Sequence, residues 1–125
     1  MNDFPPGVII KQPDEQHFDV EFPGAISHRI FLPFEDNVDF KLTKFEGKAG
    51  NTWTNLKYPW DEIVYVVQGS CKLTFAFKAG AEAQVSAGGS YRIQAGREYT
   101  VEAIEDIVLI CVFMAVPGGP PVDSK

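Results

Sequence analysis

The sequence predicts an all-β fold, a single-domain antiparallel β-barrel or jelly roll. Three observations predict it. No segment carries apolar residues at helical spacing for long enough to form a stripe. Short segments instead alternate polar and apolar residues, or are rich in β-branched and aromatic side chains. Turn residues punctuate these segments at short, regular spacing, the rhythm of a sandwich or barrel.

Taken in order, His17-Phe-Asp-Val-Glu-Phe22 alternates and reads as a half-buried strand with His17 on its polar side. Ala25 to Leu32 puts Ile26, His28, Ile30 and Leu32 on one face, and Val38, Phe40, Leu42 and then Lys44 share a face in the next segment. Glu62 to Val67 is β-branched and aromatic, and Gln68-Gly69-Ser70 turns it into Cys71 to Phe77, which predicts a hairpin. Lys78-Ala79-Gly80 is a further turn, followed by Ala83 to Val85, a Gly88-Gly89 break, and Tyr91 to Gln94. Tyr99 to Ala103 and Ile107 to Met114 complete the set. Both ends are Pro/Gly-rich, at Phe4 to Gly7 and at Pro117 to Pro121.

The length of 125 residues, 13.9 kDa, fits one ordinary domain able to bury a core without staples. An apolar content of 45% with 13% aromatics excludes wholesale disorder. Eleven basic against 17 acidic residues give a net charge of −6 and a pI near 4.8. Nucleic-acid and anionic-membrane binding both need basic surface, so the balance argues against those partners and for a small molecule or a neutral protein surface. The longest apolar run, Ile107 to Val116, is about half a membrane-spanning helix. Asn2, Asp3 and Pro5-Pro6 stand where a secretory signal would be basic and then apolar. Cys71 and Cys111 form no Cys-x-x-Cys pair and are expected to be buried, reduced thiols in a cytoplasmic protein.

Two stretches, with their spacing, resemble the cupin superfamily. The first cupin motif runs Gly, five residues, His-x-His, three or four residues, Glu, six residues, Gly. This chain has Gly50, five residues, Leu56-x-Tyr58, three residues, Glu62, six residues, Gly69. The second motif runs Gly, five residues, Pro-x-Gly, two residues, His, three residues, Asn. Here it reads Gly88, five residues, Gln94-x-Gly96, two residues, Tyr99, three residues, Ala103. The resemblance implies a cupin double-stranded β-helix over about 38–114, with N-terminal strands over 7–37 and a Pro/Gly-rich tail over 117–125. Trp53, Tyr58, Trp60 and Asp61-Glu62-Ile63 are also similar to the cupin associated with ethanolamine utilisation.

Cupin metal sites take three His and one Glu, and this chain holds Leu56, Tyr58, Glu62 and Tyr99 at those positions. Leucine ligates nothing and a neutral phenol ligates poorly, so no metal and no other cofactor is expected. The motif match puts Glu62 inside the barrel with Val64 and Val66, and Tyr58 and Tyr99 near the mouth. A carboxylate in such a cavity has its pKa raised and suits a general acid or base. A phenol beside it can donate to a developing oxyanion. Glu62, Tyr58 and Tyr99 are therefore the candidate catalytic residues of a metal-free lyase, isomerase or cyclase. They could equally form a hydrogen-bonded relic pocket in a non-catalytic, small-molecule-binding or accessory cupin. A third possibility is a metal cupin with unorthodox ligands such as Glu62, His28 and Asp61.

Substrate-binding candidates are Arg92, whose guanidinium would grip an anion if it faces the cavity, and His28 on the apolar face of its strand. Trp53 and Trp60 either wall the mouth or pack beneath an N-terminal strand. Small cupins commonly dimerise by sheet augmentation or face packing, so the resemblance implies a homodimer.

Overall fold

The structure is a computed structural model that describes residues 6–12, 25–34, 39–76 and 78–116. The strand expected at His17 to Phe22, with His17 itself, lies outside the described residues, as do Val38, Phe77 and the 117–125 tail. Among the described residues there are nine strands and no helix: β1 (Ala25–Leu32), β2 (Phe40–Gly47), β3 (Thr52–Leu56), β4 (Asp61–Gln68), β5 (Ser70–Phe75), β6 (Glu82–Ser86), β7 (Ser90–Ile93), β8 (Tyr99–Ala103) and β9 (Ile107–Met114). None of these residues forms a helix long and apolar enough to cross a membrane.

The strands form two antiparallel sheets, β1-β2-β9-β4-β7 and β3-β8-β5-β6. Strand alternation decides what lies between them, because successive side chains leave opposite faces of a strand. On the central strand β9, Ile107, Leu109, Cys111 and Phe113 are buried while the residues between them are half-buried. On β4, Glu62, Val64 and Val66 are sealed inside, and Ile63, Tyr65 and Val67 are 41–48% exposed. The second sheet closes the core with Leu73 and Cys71 of β5 and with Tyr99, Val101 and Ala103 of β8.

The predicted hairpin at Gln68-Gly69-Ser70 is not one. β4 pairs with β7 and β9, and β5 pairs with β6 and β8, so Gly69 turns the chain from one sheet into the other. Locally the two turns read alike. What differs is that side chains of both strands must meet in one interior, which needs a corner rather than a ladder. Gly69 has φ +81°, and a Cβ there would collide with the Asp106 carbonyl oxygen, so the corner takes only glycine. The Lys78-Ala79-Gly80 turn does join a hairpin, β5 with β6.

Three further details depart from the sequence reading. The single face expected for β1 is broken, because the register against β2 slips between Ala25 and Ser27 and again between Ile30 and Leu32. Each slip inserts an extra residue, and Ile26 turns outward at 58% exposure while Ile30 stays buried. On β2 the apolar face of Phe40 and Leu42 points away from the core, and the opposite parity, Lys41, Thr43, Phe45 and Gly47, points in. β3 was not foreseen, since Thr52-Trp-Thr-Asn-Leu56 is mostly polar. It bulges between Trp53 and Leu56, with Asn55 at φ 56°.

Gly47 closes β2 beneath Trp53, where a Cβ would lie 2.5 Å from the Trp53 ring and 3.1 Å from Ile107. Gly47→Ala is expected to lose about 1–3 kcal/mol through overpacking, which outweighs the gain of about 0.4–1 kcal/mol from a less flexible unfolded chain. Urea unfolding of the two proteins measures the difference.

Candidate functional site

A cavity of about 100 Å³ opens between the sheets. Leu56, Tyr58, Glu62 and Tyr99 all line it, so the two motifs, each of which runs across both sheets, converge on one space. Leu56 ends β3 opposite Tyr99 of β8, and the bulge at Asn55 sets its parity. Glu62 enters from β4 between Ile93 of β7 and Phe113 of β9. Tyr58 precedes β4 in a segment clasped to the β7–β8 turn. The Gly96 amide donates to the Tyr58 carbonyl at 2.8 Å, the Ala95 amide donates to Asp61 Oδ1 at 2.8 Å, and Arg92 donates to Asp61 Oδ2 at 2.9 Å. Tyr58 stacks on Trp60 with ring centroids 5.9 Å apart and meets Phe113 edge-on.

The Tyr99 hydroxyl donates a short hydrogen bond to Glu62 Oε1, and both residues are at least 95% buried. Burial pushes the Glu62 carboxyl up to about 7, against the Tyr99 hydrogen bond and the charge of Lys41, which pull it down. Burial, then the Glu62 charge, holds the Tyr58 and Tyr99 hydroxyls well above the ordinary phenol range. The same two causes raise Tyr91 and Cys111, which also line the cavity. The tyrosines therefore stay protonated donors across neutral pH, and Glu62 is the group that titrates near it. A cavity with one such carboxyl and several phenol donors can exchange a proton with a bound molecule and hydrogen-bond the charge that results.

Among the other residues singled out from the sequence, His28 and Trp53 line the cavity, His28 with its ring edge-on to Phe45. Two others do not reach it. Arg92 is a correction: on β7 the inward residues are Tyr91 and Ile93, so Arg92 points outward, more than half exposed, and binds Asp61. Trp60 is a second correction. It stands behind the wall in the core, packed on Phe34 and Phe113, and does not line the cavity.

The residues at the cupin ligand positions do not fit a resident transition metal, since Glu62 is the one carboxylate there and Leu56 has no donor atom. Among the described residues no three His, Cys, Asp or Glu side chains gather to hold an ion. The alternative set of Glu62, His28 and Asp61 is not brought together, because Asp61 is turned to Arg92 and Ala95.

Sequence reasoning missed Lys41 and Tyr91. Lys41 is 6% exposed and lines the cavity. The signal was present in the parity Lys41-x-Thr43-x-Phe45-x-Gly47, but the neighbouring parity of Phe40 and Leu42 is the more apolar and draws the eye.

Two antiparallel sheets facing each other across a pocket, with both motif cores turned into it, make the chain a cupin. The EutQ-like cupin domain matches residues 35–108, and the chain belongs to that family. No curated protein matches it in sequence. Among solved structures, the chain is similar to ectoine synthase from P. lautus, at 19% identity and a TM-score of 0.73, over 94% of this chain and 92% of that one. It is similar to the Clostridium difficile EutQ protein, at 19% identity and a TM-score of 0.64, over 82% of this chain and 68% of that one. It is also similar to the polyketide cyclase RemF from Streptomyces resistomycificus, at 23% identity and a TM-score of 0.67, over 94% and 84% of the respective chains. At these identities the likeness is one of fold.

The raised Glu62 pKa sets a pH dependence of stability. The folded protein holds the Glu62 proton up to about pH 7, whereas the unfolded chain releases it around the ordinary value of 4.5. Stability from this group is therefore full below about pH 4.5 and is lost as pH rises through about 7. Glu62→Gln is expected to flatten that slope and to exceed the wild type by up to about 3 kcal/mol at pH 8, measured by urea unfolding at pH 5 and pH 8. Arg92→Ala, which cuts an exposed pair, is expected to cost less than about 1 kcal/mol in the same assay.

Proposed function

We propose that the barrel interior takes up a small anionic metabolite and that Glu62, with Tyr58 and Tyr99, moves a proton on it without a metal, as a lyase, isomerase or cyclase does. The observation that carries this reading is the buried pairing of Tyr99 with a Glu62 carboxyl whose pKa lies at about 7. A base with that pKa is both available and effective at neutral pH. Ionised Glu62 accepts a proton from the bound molecule, a tyrosine hydroxyl donates to the oxyanion that develops, and protonated Glu62 returns the proton to a second position. Two of the similar structures are an ectoine synthase and a polyketide cyclase, names of enzymes, which supports catalysis in a barrel of this shape.

A second reading, a non-catalytic binding or accessory cupin, draws support from two observations. The Tyr99 hydroxyl already occupies one Glu62 oxygen, and the family is EutQ-like. A homodimer and a cytoplasmic location belong to both readings. The exposed apolar Ile63, Tyr65 and Val67 on β4 support the first, and two free, buried cysteines support the second.

The test is a metabolite screen by melting temperature, followed by turnover assays on each compound that binds. A ligand present at about 100 times its Kd adds roughly 2.7 kcal/mol of stability. Glu62→Gln is expected to keep the fold and ligand binding while losing turnover at least 100-fold. Undiminished turnover in that variant overturns the catalytic reading, and saturable binding with no turnover in the wild type favours the accessory one. Light scattering is expected to give twice the 13.9 kDa chain mass, and a monomer at micromolar concentration overturns the dimer.

A further inference from the structure

Glu62 is held at one carboxyl oxygen and open at the other. The Tyr99 hydroxyl donates to Oε1, while Oε2 has no hydrogen-bond partner among the described residues and is not sealed from open space. The same holds for two of the three phenols that line the cavity. No hydrogen bond among the described residues involves the Tyr58 or the Tyr91 hydroxyl, and neither oxygen is sealed. Strand register brings these groups together. Glu62 pairs with Ile93 of β7, so Tyr91, two residues away on the same inward parity, is its diagonal neighbour, a spacing that an aromatic ring spans. On the other side Glu62 pairs with Phe113 of β9, and Tyr58 packs edge-on against that ring with centroids 5.1 Å apart. Burial, and then the Glu62 charge, raises both hydroxyls above the ordinary phenol range, so both remain donors where Glu62 titrates. One acceptor and two donors thus share the cavity with no protein partner among the described residues, whereas polar groups inside a protein are ordinarily hydrogen-bonded.

We propose that Tyr58 and Tyr91 form the oxyanion-binding pair of the barrel, their hydroxyls meeting the oxygen of a small carbonyl compound that carries a C–H next to the carbonyl, with Glu62 Oε2 facing that C–H. The inference rests on the reading of Glu62 as a base, adds Tyr91 to the catalytic groups and names the substrate class. Tyr99 then has a different duty, fixing the carboxyl through Oε1. In the step, ionised Glu62 takes the proton from the carbon. The C–H electron pair becomes a C=C bond, the carbonyl π pair moves onto oxygen, and Tyr58 and Tyr91 donate to the enolate. Protonated Glu62 returns the proton to a carbon of the enolate, which leaves the carboxylate as it began. Donors placed before the charge develops stabilise it without reorganising, and they do so most in a low-dielectric cavity.

The test uses 4-nitrophenolate, a flat oxyanion that stands in for an enolate, and nitrobenzene, the same ring and nitro group without the oxygen, each titrated into the full chain. 4-Nitrophenolate is expected to bind at least ten-fold more tightly than nitrobenzene, since hydrogen bonds to a charged group are the stronger kind. Tyr58→Phe and Tyr91→Phe are each expected to weaken 4-nitrophenolate binding about ten-fold and to leave nitrobenzene affinity unchanged, a split that a merely structural role does not give. Equal affinity of the two probes, no saturable 4-nitrophenolate binding, or wild-type affinity in either variant each overturns the proposal. Should Tyr91→Phe fail to fold, the wild type still decides, by carbon NMR of tyrosine labelled at Cζ. At least two of the four tyrosine resonances are expected to move at saturating 4-nitrophenolate and to stay in place with nitrobenzene, and fewer than two overturns it. The base is tested separately. Selection of 4-nitrophenolate without turnover of any compound keeps the tyrosine pair and removes the catalytic reading, whereas Glu62-dependent turnover with unchanged kcat in Tyr91→Phe keeps that reading and overturns the pair.

Discussion

The hydrogen bond from Tyr99 to Glu62 joins the two sheets at the one place, among the described residues, where a carboxyl has been taken out of water. Tyr99 belongs to the β3-β8-β5-β6 sheet and Glu62 to the β1-β2-β9-β4-β7 sheet, so the bond spans the interior rather than running along a ladder. A carboxyl so placed must be hydrogen-bonded, protonated or charge-paired, because an isolated buried carboxylate is too costly to keep. The protein uses all three: a phenol donor, a pKa near neutrality, and an ammonium whose charge reaches it. Burial raises the hydroxyl pKa values of Tyr58, Tyr91 and Tyr99, and the charge of the same carboxyl raises them further.

Two pieces of local backbone chemistry hold that arrangement in register. At one end of β4, Asp61 accepts from the Ala95 amide and from Arg92, and the Tyr58 carbonyl accepts from the Gly96 amide. Those bonds fasten the segment carrying Tyr58 to the turn that leads to Tyr99. At the other end, Gly69 sends the chain across to the second sheet. Arg92 thus acts from outside the barrel, through Asp61, on the start of the strand that carries Glu62. The hydrogen bonds that place it there also hold the Asp61 carboxyl below its ordinary range.

The cavity keeps the positions of a cupin site and changes their chemistry. Three of the four positions that hold metal-ligating residues in other cupins carry Leu56, Tyr58 and Tyr99, which offer an apolar surface and two hydrogen-bond donors. The fourth keeps its carboxyl. Proton exchange at Glu62 and hydrogen-bond donation from Tyr58 and Tyr99 are the two chemical resources this set can supply, and the aromatic wall around them sets a low dielectric in which both are strengthened.

Alternation and turn chemistry made much of this legible in the sequence. Strand β9 was placed at its ends, period-two patterning put Glu62, Val64 and Val66 on one side of β4, and the resemblance to the cupin motifs turned that side inward and put Glu62, Tyr58 and Tyr99 together. These are local properties, since one strand's pleat or one glycine's φ depends on few neighbours. Which strands pair was not local. Gln68-Gly69-Ser70 suits a hairpin as well as a corner, and the choice came from two sheets needing one shared interior. The inward face of β2 went to the parity with the lysine because pairing with β9 fixed its register, against the apolar bias of Phe40 and Leu42. Arg92 and Trp60 were lost from the cavity for similar reasons, one by the parity of a four-residue strand and the other by packing on Phe34. The sequence by itself determined that this is an all-β cupin with a glutamate and two tyrosines at its ligand positions. Only the tertiary structure decided that a lysine joins them, because burial of a charge depends on partners that meet across strands far apart in the chain.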